Sequence, residues 1–174
     1  LAIDEADLVV GGRRGRARCW HTRLWRLDGR TGDLPGVELR GKAEWYNPGG
    51  SVKDRAASNI VAQARASGKF SPGKTLLDST SGNTGIAYAM IAAAEGFPLT
   101  LCMPENVSVE RKRILHAYGA NIMYTDPGHG SDGALRAALE LQAQPPRQYC
   151  YPHQLTNDAH CQATAKLHPN DTSQ

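Results

Sequence analysis

From residue 75 onward the chain repeats one pattern: a short apolar run, a polar or glycyl turn, and a helix-length stretch, closed by glycine in the first two repeats. Residues 75–78, 99–103 and 121–125 have strand length and strand composition, and Pro104 stops the second of them. Between and after them the spacing predicts helices over 84–95, 109–118 and 131–144, with Ser108 as the cap of the middle one. A further helix is predicted over 52–67, and 37–45 reads as a strand running into a loop at 46–50. Gly68, Gly96 and Gly119 each follow a helical stretch, where a left-handed closing residue favours glycine. Strands of about five residues alternating with helices of ten to sixteen predict an α/β fold, a parallel sheet with helices on both faces. Such sheets bind ligands at the loops leaving the carboxyl ends of their strands, often on helix N-termini. The turns before Lys53 and Thr84 are therefore the places to search.

Composition narrows the class. At 174 residues, 40% hydrophobic and 21% charged, the chain suits one ordinary domain with its own core and not wholesale disorder. No apolar run reaches the roughly 18 residues that span a bilayer, so no membrane partner is expected. The first five residues, Leu1 to Glu5, are acidic and lack signal-peptide character. Four scattered cysteines, at 19, 102, 150 and 161, do not form a disulfide framework, and a reducing, cytoplasmic setting is expected. The net charge of +3 comes from one stretch: residues 11–30 hold seven arginines against Asp28 alone. Its densest part, Arg13 to Arg18, has no interleaved aromatics, so it is read as an unstructured segment and no nucleic-acid partner is expected.

Two segments carry chemistry. In Asn47-Pro48-Gly49-Gly50-Ser51-Val52-Lys53-Asp54-Arg55, Pro48 and the paired glycines make a tight turn and Ser51 can cap the following helix. Lys53 then falls in the first helical turn, where the dipole favours the neutral amine that Schiff-base chemistry requires. The same residues also describe an ordinary capped helix with a solvated lysine. The second segment, Ser79-Thr80-Ser81-Gly82-Asn83-Thr84-Gly85, offers hydroxyls, an amide and backbone N–H groups at a helix start, suited to a carboxylate. Glycines 82 and 85 allow a ligand to approach the backbone. A capping turn accounts for one hydroxyl of this run but not for all of it.

Three other patterns are set aside. Residues 128–133 match G-x-G-x-x-G, but Pro127 intervenes and 141–157 holds no acid for a ribose, so a strand-to-helix turn is the reading. Cys150, His153, His160 and Cys161 have zinc-type side chains without any usual paired spacing, and are read as structural or incidental, with no metal expected. His116 is read as a helix-surface residue near a C-terminus.

Together the two segments resemble the cysteine synthase family of pyridoxal-phosphate enzymes. The stretch 104–113 with Gly119-Ala120 is similar to that family too, as are Gly130-Ser131-Asp132-Gly133-Ala134, in the manner of its type B or O-phosphoserine branch, and Tyr151-Pro152-His153-Gln154. The resemblance implies a tryptophan-synthase-β-like fold of type II, and Lys53 as the residue that holds pyridoxal 5'-phosphate and takes the substrate's α-proton. It further implies that Asn83 contacts the cofactor ring and that Thr80, Ser81, Gly82, Thr84 and Gln154 grip the substrate carboxylate. The implied reaction is a β-replacement making L-cysteine from an O-activated serine and a sulfur donor, in a homodimer. Cystathionine β-synthase shares both motifs and is a further reading.

The resemblance covers about 34–160, leaving a divergent basic segment at 1–33 and a divergent tail at 161–174. Family members are nearly twice as long, and no second Gly/Thr-rich loop follows residue 160 to cradle a phosphate. A truncated, frameshifted or decayed chain is therefore one expectation, and a non-catalytic remnant or interaction protein is the alternative to the enzyme.

Overall fold

The computed structural model describes residues 22–27, 36–80, 82–144, 148–154 and 157–165. The arginine cluster at 13–18, Cys19, Ser81 and the tail beyond 165 lie outside these residues, as does the expected boundary at 33–34. Within them the chain forms β1 (Leu24–Arg26), β2 (Arg40–Lys42), a short 3-10 turn (Glu44–Tyr46), α1 (Lys53–Ala66), β3 (Thr75–Ser79) and α2 (Asn83–Glu95). There follow β4 (Leu99–Pro104), α3 (Val109–Ala117), β5 (Asn121–Thr125), a 3-10 turn (Pro127–His129), α4 (Gly130–Ala143), β6 (Tyr149–Cys150) and α5 (Asp158–Ala165). The expected helices and the strands from 75 onward are present to within a residue or two. The expected strand at 37–45 is shorter. Arg40–Lys42 pairs antiparallel with Leu24–Arg26, flanked by single backbone bonds from Leu27 N–H to the Leu39 carbonyl and from Ala43 N–H to the Arg23 carbonyl.

The main sheet runs β5-β4-β3-β6 with every pairing parallel, Asp78 opposite Leu101 and Ser79 opposite Cys102. All six residues of β4 are buried, as expected for a central strand covered on both faces. The two-residue period then sorts the side chains. Leu76, Leu99, Leu101 and Met103 join one apolar cluster with Ile60 and Val61 of α1, Tyr88 and Ile91 of α2, and Leu115 of α3. Leu77 and Cys102 point the other way, against Ala134 and Ala138 of α4. Helices thus cover both faces, as the sequence pattern requires. Burying each of these large apolar side chains contributes roughly 1.5–3 kcal/mol.

The small residues of α2 set how closely the layers approach. A Cβ on Gly85 would lie 3.1 Å from Thr80 Cγ2 and 3.3 Å from Leu101 Cδ1, so this glycine serves helix-on-strand packing and not the approach of a ligand. Gly82 differs: a Cβ there meets nothing within 4 Å. Gly96 closes α2 in the left-handed conformation, φ +70°, its N–H donating to the Ala92 carbonyl. At 128–133 the glycines build a turn. Gly128 N–H donates to Asp126 Oδ1 at 2.8 Å, and a Cβ on Gly133 would collide with that of His129.

Two buried carboxyls lie in this frame. Asp78 on β3 is fully buried; its Oδ1 accepts from Ser79 N–H at 2.7 Å, while Oδ2 and the nearby Tyr88 hydroxyl have no partner in hydrogen-bond geometry. Desolvation pushes its pKa up to about 7, against the Ser79 amide and Tyr88, which lower it. Asp54 is also fully buried, beneath the Gly49–Gly50 turn, where Gly49 N–H donates to Oδ2 at 2.5 Å. Desolvation pushes it up to about 6, with the Gly49 N–H lowering it.

Two outcomes follow from these contacts. A carboxyl whose folded pKa lies above its unfolded value stabilises the fold while protonated, and that contribution is lost as pH rises from about 4 through 7. Asp78→Asn therefore flattens the fall in urea-unfolding free energy between pH 5 and pH 7.5; equal slopes in variant and wild type would exclude this role. A Cβ at Gly49 would clash with the Asp54 carboxylate. Gly49→Ala accordingly loses about 1–3 kcal/mol of stability, whereas Gly82→Ala changes it by less than about 0.5 kcal/mol.

Candidate functional site

The site sits at the carboxyl edge of the sheet. Arg65 in the last turn of α1 pairs with Glu95 at the end of α2, so the two packed helices run the same way and the N-terminus of α1 lies at the edge where β3 ends and α2 begins. β6 is parallel to β3, so the chain leaving it, residues 151–154, emerges at the same edge. A hydrogen bond of 3.1 Å between Ser79 Oγ and Tyr151 Oη joins the two strand exits. Three of the predicted segments, those carrying Lys53, Thr80 to Gly85 and Gln154, are thereby brought to one edge.

The lysine segment is held by a polar network that begins in β1's flank. Asn47 is buried, its Nδ2 donating to the Glu44 and Ser51 carbonyl oxygens at 3.0 Å each and to the Glu44 carboxylate. The Arg55 side chain, only 3% exposed, donates from Nε to Glu44 Oε2 at 3.1 Å and from a terminal nitrogen to Thr22 Oγ1 at 2.7 Å. Thr22 in turn donates to Glu44 Oε1 at 3.3 Å. The N-cap of α1 is Val52 and not the expected Ser51, which lies one residue earlier with its Oγ accepting the Lys53 N–H at 3.2 Å. Gly50 takes φ +81°, the left-handed turn that glycine permits. This network fixes the first turn of α1 and with it the start of the Lys53 side chain.

Lys53 is half-buried. Its Nζ lies 3.1 Å from His160 Nε2 of α5, and His160 Nδ1 lies 3.3 Å from the carbonyl oxygen of Gln154. The structure thus links Lys53 to Gln154 through a histidine that the sequence pattern marks only as a zinc-type side chain. His160 is 107 residues from Lys53, and no local spacing could have paired them. Asp54 was likewise invisible as a functional support, since only the folded turn shows its carboxylate filling the space over Gly49.

At the second segment Thr80 N–H donates to the Cys102 carbonyl at 3.2 Å, anchoring the strand exit, and Thr80 Oγ1 accepts weakly from Gly82 N–H at 3.4 Å. Among the described residues no side chain caps the first amides of α2, and Asn83, its first residue, is exposed. Thr84 is buried, and Gln154 half-buried. Ser81 lies outside the described residues.

Of the residues set aside, Cys150 is buried in the main core, and His116 is exposed in the last turn of α3. His153 adopts φ +52° directly after β6, its ring 5.1 Å from that of Tyr151. Among the described residues no helix is long and apolar enough to cross a membrane.

The donor set suits the aldehyde end of a pyridoxal phosphate: a primary amine at a helix N-terminus with an imidazole nitrogen in hydrogen-bond reach, and an amide at the neighbouring helix start. Comparison with known proteins agrees with this chemistry. The chain is 48% identical over 132 residues to a cysteine synthase of Aquifex aeolicus, a match covering 75% of this chain and 40% of that protein. Against cysteine synthase A of Escherichia coli K12 it is 43% identical over 139 residues, 80% of this chain and 42% of the other. An O-acetyl serine sulfhydrylase isoform 3 of Entamoeba histolytica superimposes with TM-score 0.80 at 36% identity, over 89% of this chain and 48% of that one. An O-acetylserine dependent cystathionine beta-synthase of Helicobacter pylori superimposes with TM-score 0.76 at 30% identity, over 86% and 49%. The chain spans less than half the length of each of these proteins. The family profile described as pyridoxal-phosphate dependent enzyme matches residues 17–168, reaching further at both ends than the motifs at 34–160. By that match, and by the fold and site it spans, the chain belongs to the pyridoxal-phosphate dependent enzymes.

Proposed function

We propose that this chain carries the lysine and the substrate-carboxylate loop of a cysteine-synthase-like enzyme, making L-cysteine from an O-activated serine and a sulfur donor. The observation that carries this reading is the convergence of Lys53, the Thr80–Gly85 turn and Gln154 on one edge of the sheet, Lys53 and Gln154 being linked through His160. The relatives at 43–48% identity support it by their printed activities. Their greater length makes partner assembly as a homodimer, and residence in the cytoplasm, part of the same proposal.

In this reading Lys53 is the amine that holds pyridoxal 5'-phosphate, and Asn83 orients the ring. Bound there, the cofactor supplies an electron sink for β-elimination from an amino acid. The chain's own residues do the rest. Thr80, Ser81, the first amides of α2 and the Gln154 amide bind the amino acid's carboxylate, using N–H groups that the helix leaves without internal partners. Buried Thr84 contributes through its backbone and packing. With the cofactor bound, the Lys53 amine would be the group that takes the proton from the substrate's α-carbon. The likeness to the Helicobacter pylori enzyme favours a second reading, with a thiol amino acid as the sulfur donor in a cystathionine β-synthase-like reaction.

Adding pyridoxal phosphate to the purified chain is expected to produce a visible absorbance band that sodium borohydride fixes onto Lys53, as read by peptide mass. Lys53→Ala should lose the band while unfolding at the same urea concentration. Identical spectra from wild type and variant would refute the enzyme reading for this chain and leave the non-catalytic alternative.

A further inference from the structure

Helix α5 is docked on α1 by specific contacts. Asn59 Nδ2 donates to the Ala159 carbonyl oxygen at 2.7 Å and Gln63 Nε2 to Gln162 Oε1 at 2.7 Å, while Ala159 and Ala163 are fully buried. Its first turn is tied to the strand exit: Asn157 Nδ2 donates to the Pro152 carbonyl at 2.8 Å, and Asn157 Oδ1 accepts the Ala159 N–H at 3.0 Å. This docking carries the His160 ring to the start of α1, with Nε2 at 3.1 Å from Lys53 Nζ and Nδ1 at 3.3 Å from the Gln154 carbonyl oxygen. A carbonyl oxygen only accepts, so the Nδ1 contact requires a hydrogen on Nδ1. In the neutral ring that leaves the Nε2 lone pair directed at Lys53, whose ammonium can only donate.

We propose that His160 is the positioning residue for Lys53, its Nε2 accepting from the amine and holding it at the sheet edge while Nδ1–H stays on the Gln154 carbonyl. The inference rests on the cofactor reading of Lys53 and extends it. In this reading Gln154 has two functions: its side chain serves the substrate carboxylate, and its backbone carbonyl fixes the ring beside the lysine. Any movement of Gln154 on substrate binding is transmitted to Lys53 through one imidazole.

The test uses the purified chain without added cofactor, so its result is independent of whether the cofactor reading holds. Nitrogen-15 NMR of the histidine rings should show His160 neutral with hydrogen on Nδ1, and Lys53→Met should shift its Nε2 signal and no other ring's. Competitive acetylation with trace acetic anhydride, read by peptide mass, should show Lys53 labelled at least about threefold faster in His160→Ala, the other lysines being unchanged, because an acceptor on the ammonium favours its unreactive charged form. His160→Gln, which returns an acceptor at similar reach, should restore part of the protection. Hydrogen on Nε2, or a Lys53 labelling rate in His160→Ala equal to or below wild type, would overturn the proposal. Failure of the cofactor reading shows separately, as an absent band when pyridoxal phosphate is added to the wild-type chain.

Discussion

The structure depends on the parallel pairing of β3 with β4. Parallel strands offer no hairpin to join them, so each connection must cross over the sheet, and the crossover helices start or end at a common edge. β4 is buried along its whole length, which is affordable only because its neighbours satisfy its backbone on both sides and helices cover both faces. Everything with chemical character gathers where these strands stop. The lysine turn enters that edge from α1, the Thr80 to Gly85 turn leaves it with α2, and Gln154 arrives from β6. The site is a consequence of strand direction before it is a consequence of any particular side chain.

Around that frame the chain tolerates polar burial where geometry satisfies it. The Glu44–Arg55 pair is such a case. Its charges share Asn47 and Thr22 as further partners, so few lone pairs or hydrogens are stranded. Asp78 and Asp54 are the opposite: each keeps one oxygen without a partner. Each is held at the higher pKa that burial imposes. The two acids are supports at the site's margin, one under the lysine turn and one at the base of the substrate turn, and neither touches the amine.

Most of the fold was legible because its signals are local. Gly96 and Gly119 stop helices for a reason confined to their own φ, and the apolar strands from 75 onward are bounded by residues that break them. Lys53 and the Thr80 to Gly85 turn were legible as candidates because a turn, a cap and a helix start are consecutive in sequence. The rest was not legible because it depends on distant partners. Strand β2 takes its length from pairing with β1, a separate segment, and nothing in 37–45 reveals that partner. Gly85 reads as room for a ligand until Thr80 and Leu101 are seen to fill the space. His160 reads as a metal-type residue next to Cys161 until α5 lies down on α1 and turns its ring toward Lys53.

The interlock between Gly49 and Asp54 has a bearing on how such a site can diverge. The backbone at 49 and the carboxylate at 54 occupy each other's only available space. The two positions are therefore coupled in descent. A side chain at 49 carries a cost as long as the acid at 54 remains, and a chain that shortens or removes the acid gives up the hydrogen bond that holds the turn before Lys53. A change at either position alone loosens the entry to the lysine, so the pair is expected to drift together.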